Sequence, residues 1–204
     1  RRMEAHHLAG VTVFDHRGRH VVSAGAPIWN GASVQGLLYE VARTGKGAIS
    51  DLARPDDGSP EVALDFAVPM PGGPAAAAAD AAILVARVNA AEALGPLVDV
   101  GSTRLRTLEA TLLRRDGDRV LVLVGLRSTG EAPLTLAFPL DGPPLAPVRM
   151  VLGETGPIEG VGRHGQAVLA TARPVAGTSW LVAAKVDRAE INARVQAGLL
   201  KEGT

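Results

Sequence analysis

The sequence predicts an α+β protein of two similar units, each with a central antiparallel sheet of about five strands and flanking helices. Three observations carry this prediction: β-rich runs around short glycine turns, short links between successive strands, and a repeated residue order. Runs that flank a short glycine-containing link are typical of hairpins, and strands joined by short loops favour antiparallel pairing. The length of 204 residues allows one large or two small domains.

The first half of the chain reads as a hairpin, a helix and three closing strands. The runs Val11–Phe14 and Arg19–Ser23 flank the link Asp15–Gly18, which predicts the hairpin. Over 31–43 the apolar residues recur at the i, i+3, i+4, i+7 spacing of one helix face, and a glycine ends that helix. The remaining elements of this half are strands at 48–52, 62–70 and 82–88 and a short helix at 90–98.

The second half repeats this order. Its β-rich runs, the first two again joined by a glycine link, lie at 110–113, 119–124, 166–173 and 179–186. Between them, the Pro-rich stretch 133–152 allows at most a weak helix near 146–152. A C-terminal helix is predicted over 187–200, with Asp187 as its N-cap and Glu190 at the capping-box spacing.

The two halves align at a nearly constant offset. The matches, with offsets of 99, 105 and 98, are Gly18 with Gly117, Pro69 with Pro174, and Arg87–Glu92 with Lys185–Glu190. A period this long predicts tandem units, because solenoid repeats are about 20–50 residues long. We therefore expect two domains, 1–100 and 101–204. Chance similarity in a chain rich in alanine and valine is the alternative.

Composition and charge exclude several classes of function. Aromatic residues make up 3% of the chain, too few for the stacking platforms that bind single-stranded nucleic acid. The 21 basic and 21 acidic residues cancel, so no net charge attracts nucleic acid or an anionic membrane. The absence of cysteine excludes thiol catalysis, cysteine-ligated zinc and disulfides. No window reaches the roughly 18 apolar residues of a membrane span.

The sequence contains no catalytic or metal-binding constellation, so we expect neither an enzyme nor a bound cofactor. His16 and His20 are four residues apart, but they straddle a glycine turn and do not share a helix face, which argues against a metal site. Ser50 and Asp51 lack the Gly-x-Ser-x-Gly elbow of a hydrolase.

Short motifs follow one another in a fixed order along residues 9–192. They are Phe14–Gly18, Ile49–Leu52, Leu64–Pro69, Thr107–Gly117, Ala172–Val175, Gly177–Trp180 and Ala184–Glu190. Their order and spacing resemble those of the double Cache domain, the PAS-like extracytoplasmic sensor region of bacterial histidine kinases, diguanylate cyclases and related receptors. The resemblance implies two tandem PAS-like Cache modules. The membrane-distal module would span 1–100 with a remnant of an N-terminal helix, and the membrane-proximal module would span 101–204 with an exit helix.

The resemblance also implies where such a chain works. It would be the periplasmic part of an inner-membrane protein, anchored by flanking segments and homodimeric in the full-length receptor, with any catalytic output in a cytoplasmic domain. The chain starts at Arg1, which fits a piece of a longer protein. Two departures matter. Residues 162–165 read Gly-Arg-His-Gly where relatives often have Asp-Tyr-Arg-Gly, and the residue set of the amino-acid-binding subgroup is not reproduced.

Five residues of the first unit are candidate ligand-binding residues: Trp29, Tyr39, Asp51, Asp65 and Arg87. Trp29 precedes the helix expected to cover the sheet and Tyr39 lies on it; simple packing is the alternative for both. Asp51 ends a predicted strand, where capping a turn is the alternative. Alternation places Asp65 on one strand face between two alanines. Beneath a helix its carboxylate needs a donor, either Arg87 on a neighbouring strand or a cationic or hydroxylated ligand.

Two functions from different classes fit these observations. In the first, the chain is a ligand-sensing domain that binds a small solute between the helix and sheet of the distal module and signals through its C-terminal exit helix. In the second, it is a structural, dimerising or protein-interaction spacer that holds no solute. A closed polar pocket in the first unit would favour the first function.

Overall fold

The computed structural model describes residues 8–28, 31–55, 61–70, 81–100, 104–124 and 131–202. The chain divides into two compact units, Arg1–Ala93 and Leu94–Thr204, and the division falls inside the helix predicted over 90–98. Each unit contains one β-sheet, and every ladder between neighbouring strands of the described ranges is antiparallel. The predicted α+β class with antiparallel sheets is confirmed.

The first unit is a five-stranded sheet with a helix on one face. Its elements are β1 (Leu8–Phe14), β2 (His20–Gly25), α1 (Ala32–Thr44), β3 (Ala48–Ile49), β4 (Ala63–Pro69), β5 (Ile83–Asn89) and the start of α2 (Ala90–Val98). The strands lie in the order β2-β1-β5-β4-β3. The last strand, β5, is therefore central, because it pairs with both β1 and β4.

The helix α1 covers the sheet because its apolar residues form one stripe. Val34, Leu37, Leu38 and Val41 are all buried. The buried residues that pack beneath them are Phe14, Ile28, Ala67, Ile83 and Val85. The helix ends at Gly45, whose left-handed φ of 65° lets its N–H bond to a carbonyl of the last turn.

The segment after β2 crosses β1 at very short range. A Cβ at Gly10 would overlap the carbonyl oxygen of Ala26, so only glycine allows this approach. Two residues further along β1, the fully buried Thr12 accepts the Ile28 N–H at 3.1 Å and bonds to the Ser23 hydroxyl at 2.8 Å. Together these contacts hold the chain that leads into α1 against the sheet.

The second unit is a six-stranded sheet with one short helix in its core. After the end of α2, its elements are β6 (Glu109–Asp116), β7 (Arg119–Val122), β8 (Ala137–Pro139), α3 (Ala146–Val151), β9 (Ile158–Val161), β10 (Ala167–Pro174), β11 (Trp180–Asp187) and α4 (Arg188–Glu202). The strand order is β8-β7-β6-β11-β10-β9, which repeats the order of the first sheet and adds β8 at one edge.

The Pro-rich stretch of the second unit forms the additional strand and the helix α3. Pro139 in β8 fits an edge strand, where a missing N–H breaks no ladder on the open side. The helix α3 begins directly after the prolines, with Pro147 in its first turn. Ala146, Val148 and Met150 are buried in the core of this unit. The predicted helix near 146–152 is confirmed, whereas β8 and β9 were not predicted.

The C-terminal helix α4 forms as predicted, but the predicted capping box is wrong. The Glu190 carboxylate does not reach back to the Asp187 N–H, which instead donates to the Thr107 hydroxyl at 3.0 Å. Glu190 accepts hydrogen bonds from the backbone N–H groups of Arg106 and Thr107, both at 2.8 Å. The first turn of α4 is therefore tied to the segment that enters β6. Within the described ranges, no helix combines the length and the apolarity that crossing a membrane requires.

Candidate ligand-binding site

A buried ion pair joins the two central closing strands of the first unit. Asp65 on β4 lies directly opposite Arg87 on β5. The Arg87 Nε and Nη2 groups donate to the two Asp65 carboxylate oxygens, each at 2.8 Å. The side chains are only 5% and 12% exposed, so the pair lies in a largely dehydrated environment.

This geometry answers the question that the sequence left open for Asp65. The residues that alternate with it, Ala63 and Ala67, are buried on the same strand, and Ala67 packs beneath α1. Asp65 therefore lies on the covered face, and its donor is the neighbouring Arg87. This bidentate pairing of a guanidinium with a carboxylate is the strongest geometry available to two such side chains.

The backbone of Asp65 is held by the segment that follows β3. The Ser50 hydroxyl accepts the Asp65 N–H at 2.9 Å, and the Ser50 N–H donates to the Asp65 carbonyl at 2.8 Å. The next residue, Asp51, is exposed, and its carboxylate accepts the N–H of Leu52 at 2.9 Å. This hydrogen bond is the turn-capping role that sequence reasoning kept as the alternative for Asp51.

Of the two aromatic candidates, Tyr39 does not join Asp65 and Arg87. Tyr39 lies on the solvent-facing side of α1 and is 71% exposed, whereas its neighbour Leu38 is buried. Its placement removes Tyr39 from the predicted pocket. Trp29 lies outside the described residues, so its predicted contact with a ligand stays a prediction.

A cavity of about 420 Å³ lies beside Arg87, at the end of β5. It is formed where the start of β1, the link after β2 and the start of β4 meet. The lining residues are Ala9, Ala26, Pro27, Pro55, Glu61, Val62, Ala63, Arg87, Val88 and Asn89. Of the four predicted site residues that the structure describes, Tyr39, Asp51, Asp65 and Arg87, the last is the one that lines this cavity. We had expected the pocket between α1 and the sheet, but the apolar stripe of α1 fills that space.

Two polar residues that sequence reasoning missed lie on the wall of this cavity. The Asn89 side-chain amide donates to the Glu61 carboxylate at 2.8 Å. The side-chain oxygen Oδ1 of Asn89 accepts the N–H groups of Ala91 and Glu92, at 2.9 and 3.2 Å, and so caps α2. The sequence signal was present, because Asn is a preferred residue directly before a helix. Its contact with Glu61, by contrast, requires the folded sheet.

The second sheet also has an ion pair at the corresponding residue of its central strand, but the acid lies on the opposite neighbouring strand. Lys185 on β11 binds Glu109 on β6 at 2.8 Å, and its other neighbour on β10 is Ala170. In the first sheet, Arg87 has Gly10 on the β1 side and the carboxylate on the β4 side. Both pairs thus neutralise the basic residue of the central strand. The cavity beside Glu109 and Lys185 measures about 60 Å³, which is too small for a solute of several heavy atoms.

The carboxylate of Glu190 in the first turn of α4 has a strongly lowered pKa. The Arg106 N–H first, and then the hydroxyl and N–H of Thr107, lower the pKa of Glu190 from 4.5 to about 2. The group is therefore ionised throughout the physiological range and keeps its hydrogen bonds to the segment 104–107. This arrangement is structural, because the carboxylate is already saturated with donors.

The wall of the first-unit cavity combines charged, polar and apolar side chains. Its wall offers N–H donors from Arg87 and Asn89 and carboxylate acceptors from Glu61, set in apolar surroundings. Among the residues that the structure describes, no group of three histidine or acidic side chains is placed to hold a metal ion. Ser50 donates and accepts within the sheet, where it serves as a link between strands.

Comparison with known proteins identifies the fold. No family model matches the chain, and no curated protein matches it. Solved structures do match. An extracellular ligand-binding receptor from Desulfohalobium retbaense DSM5692 has a TM-score of 0.56 and 16% identity over 88% of this chain and 30% of that chain. The ligand-binding domain of the Pseudomonas aeruginosa PAO1 amino acid chemoreceptor PctB, in complex with L-Arg, has a TM-score of 0.58 and 14% identity over 97% of this chain and 73% of that one.

A third match is the extracellular domain of a protein assigned as a histidine kinase, with a TM-score of 0.58 and 16% identity over 96% of this chain and 79% of that chain. The chain has the fold of an extracellular sensor domain. The predicted resemblance to Cache-type sensor domains is confirmed at the level of fold, which is what a likeness at 14–16% identity shows. The chain spans about a third of the first of these proteins, so the activity of a whole receptor is a matter for proposal.

Proposed function

We propose that this chain is the extracytoplasmic ligand-sensing part of a membrane-anchored signalling receptor. It binds a small solute in the cavity of the first unit and transmits binding through the C-terminal helix α4. The observation that carries this proposal is the cavity of about 420 Å³ beside Arg87, Asn89 and Glu61. Cavities of 300–1,000 Å³ with a few placed polar groups are typical of small-molecule sites.

The two units are proposed to be tandem PAS-like Cache modules, with the first distal and the second proximal to the membrane. Support comes from the strand order, which is the same in five strands of each sheet. The ladder registers give further support. Gly10 pairs with Arg87 in the first sheet and Glu109 pairs with Lys185 in the second. Gly10 thus corresponds to Glu109 and Arg87 to Lys185, at the offsets of 99 and 98 found in the sequence. The cavity beside the ion pair of the first unit measures about 420 Å³ and the one beside the ion pair of the second unit about 60 Å³, which supports the first unit as the sensing one. The second unit has a further space of about 630 Å³ at the start of α4, lined among others by Arg104, Arg106, Glu190 and Arg194.

The ligand is proposed to be a polar solute that carries both a hydrogen-bond acceptor for Arg87 or Asn89 and a donor for Glu61. Asp65 would act indirectly, by holding the guanidinium of Arg87 in place. Three of the structural neighbours are named with L-Arg, with asparagine and with GABA, and each of these solutes has an amino group and a carboxylate. They belong among the first probes, beside amines, polyols and simple carboxylates.

A thermal-shift screen followed by calorimetry tests this site. A solute present at about 100 times its dissociation constant should stabilise the fold by about 2.7 kcal/mol. Glu61→Gln and Arg87→Met should weaken a hit by about 10-fold or more, since each removes a charge-assisted hydrogen bond. Glu40→Gln on the exposed face of α1 is the matched control and should bind like wild type. A hit that binds both cavity variants unchanged would place the site elsewhere.

A second candidate, a dimerising or protein-binding spacer, is supported by the outer face of the first sheet. Two rows of apolar residues cross that face without a charged residue among them. They are Val22, Val13, Leu84 and Val68, and Ala24, Val11, Ala86, Phe66 and Ile49. Phe66 and Val68 are 39% and 46% exposed. Analytical ultracentrifugation should compare the wild type with Phe66→Ser and Val68→Ser. This candidate is favoured if the wild type associates, both variants are monomeric, and the solute screen finds no ligand.

A further inference from the structure

We propose that Asn89 couples the cavity of the first unit to the helix α2, so that occupation of the cavity changes the stability of that helix. The inference rests on the proposed solute site, but it concerns how binding is passed on and not whether a solute binds. Its basis is one side chain that belongs to two structures at once. Asn89 lines the cavity and its side-chain nitrogen donates to Glu61, which also lines it, while the side-chain oxygen of Asn89 caps α2.

The polar groups of the cavity wall are few and already engaged in pairs. Arg87 is bound by Asp65, and Asn89 is bound to Glu61 at 2.8 Å. A solute that hydrogen-bonds to this wall must therefore compete with one of the two pairs or add to it. The pair of Asn89 with Glu61 is the more exposed one, which makes it the easier to rearrange.

The helix α2 is short and depends on its cap. Nine residues are fewer than the roughly 12–15 that an isolated helix needs. Pro96 and Gly95 lower its intrinsic helix propensity further. Its first turn is held by the Asn89 oxygen and by the bond from the Ala90 N–H to the Val62 carbonyl at 2.9 Å. Loss of an Asn cap typically lowers helix stability about five-fold in equilibrium terms.

The position of α2 makes such a change consequential. The division between the two compact units falls within this helix, after Ala93. Any change in its first turn is therefore a change in the segment through which the first unit continues into the second. The corresponding residue before α4 is Asp187, whose buried Oδ1 has no hydrogen-bond partner, so the start of α4 is held by Glu190 and not by a comparable cap. The coupling residue is thus specific to the first unit.

Amide hydrogen exchange, measured by NMR on the whole chain, tests the coupling without a ligand. Glu61→Ala perturbs the cavity side of Asn89 and leaves α2 untouched. We expect the N–H groups of Ala91 and Glu92 to exchange about two- to five-fold faster in this variant, because Asn89 loses the bond that orients it. In Asn89→Ser the hydroxyl still caps the helix but cannot hold Glu61, so adding Glu61→Ala should have no further effect on Ala91 and Glu92.

Two controls define the outcome. Asn89→Ala should speed exchange at Ala91 and Glu92 by about five-fold or more, and Glu40→Ala on α1 should leave it unchanged. The proposal is overturned if Glu61→Ala leaves these two amides unchanged, or if it acts equally in the Asn89→Ser background. Either result leaves the solute screen and its cavity variants as an independent test of the binding site.

Discussion

Removal of the Asp65 carboxylate is the sharpest test of how the first unit is held together. Asp65→Ala deletes two charge-assisted hydrogen bonds of 2.8 Å and leaves a guanidinium that is only 12% exposed without its carboxylate. Each such bond contributes about 1.5–3 kcal/mol, and loss of one partner from a buried pair typically costs about 3–5 kcal/mol. We expect Asp65→Ala to lower the free energy of unfolding of this unit by about 4 kcal/mol.

The partner variant and the double variant separate the pair from its surroundings. Arg87→Met alone leaves the Asp65 carboxylate buried, so a loss of similar size is expected. The double variant Asp65→Leu with Arg87→Met removes both charges together. It should lie within about 2 kcal/mol of wild type, because replacing a buried pair by apolar residues is often close to neutral.

The assay must report the first unit by itself, since two units need not unfold together. Urea titration followed by amide exchange of peptides within 61–70 and 81–93 meets this need. With Asp65→Leu as the matching single variant, the double-mutant cycle should give a coupling energy of about 6 kcal/mol, because two single losses of about 4 kcal/mol each fall to about 2 kcal/mol when both charges are removed together. Glu40→Ala should be neutral. A coupling below about 0.5 kcal/mol would refute the reasoning, because it would mean that the two side chains are solvated independently of each other.

Three further outcomes follow from single contacts. As pH falls from about 4.5 towards 2, thermal melts should show a loss of stability that Glu190→Gln lacks, because the lowered pKa of Glu190 confines its contribution to higher pH. Gly10→Ala should destabilise the first unit by about 1–3 kcal/mol in urea unfolding, because its Cβ would overlap the Ala26 carbonyl. Thr12→Val should cost about 1–3 kcal/mol, since the Ile28 N–H loses its buried acceptor.

The first two of these outcomes have a matched control in the chain. Glu40→Gln removes an exposed carboxylate, so its pH profile should follow that of wild type. Gly36→Ala places a Cβ on the exposed face of α1 with no atom within 4 Å, and it should be neutral or slightly stabilising. A Gly10→Ala variant as stable as Gly36→Ala would contradict the close crossing of β1. An unchanged pH profile for Glu190→Gln would contradict the lowered pKa.

The elements that local patterns determine were predicted well. The helix α1 was expected at 31–43 and lies at Ala32–Thr44, and α2 was expected and found at 90–98. Their apolar spacing and their end signals are contained in a few consecutive residues. The same stripe also contained the evidence against Tyr39, because a residue directly after Leu38 points away from the face on which Val34, Leu37 and Val41 are buried. Helical geometry alone was sufficient to remove it.

Features that depend on distant residues could not be predicted with the same certainty. Asp65 was recognised as needing a donor, but the choice between Arg87 and a ligand required the register of β4 on β5. The capping box was wrong for a similar reason. The spacing of Asp187 and Glu190 was suitable, yet donors from a segment more than 80 residues earlier competed successfully for the Glu190 carboxylate. The position of the cavity depends on three chain segments meeting at one end of the sheet, which no single motif encodes.

The opposite placement of the two carboxylates has a consequence for how such sequences evolve. In the first sheet the basic residue of the central strand has a glycine on one side and a carboxylate on the other, and in the second sheet the sides are exchanged. The basic residue of the central strand thus needs an acid on one of its two neighbouring strands, but the two units use different neighbours. In the first unit the acid has to stand at position 65, because only glycine fits at position 10 beside Ala26, whereas in the second unit the acid stands on the other neighbouring strand, at Glu109. A comparison that scores aligned columns one at a time would record a lost ion pair where the charge has only changed strands.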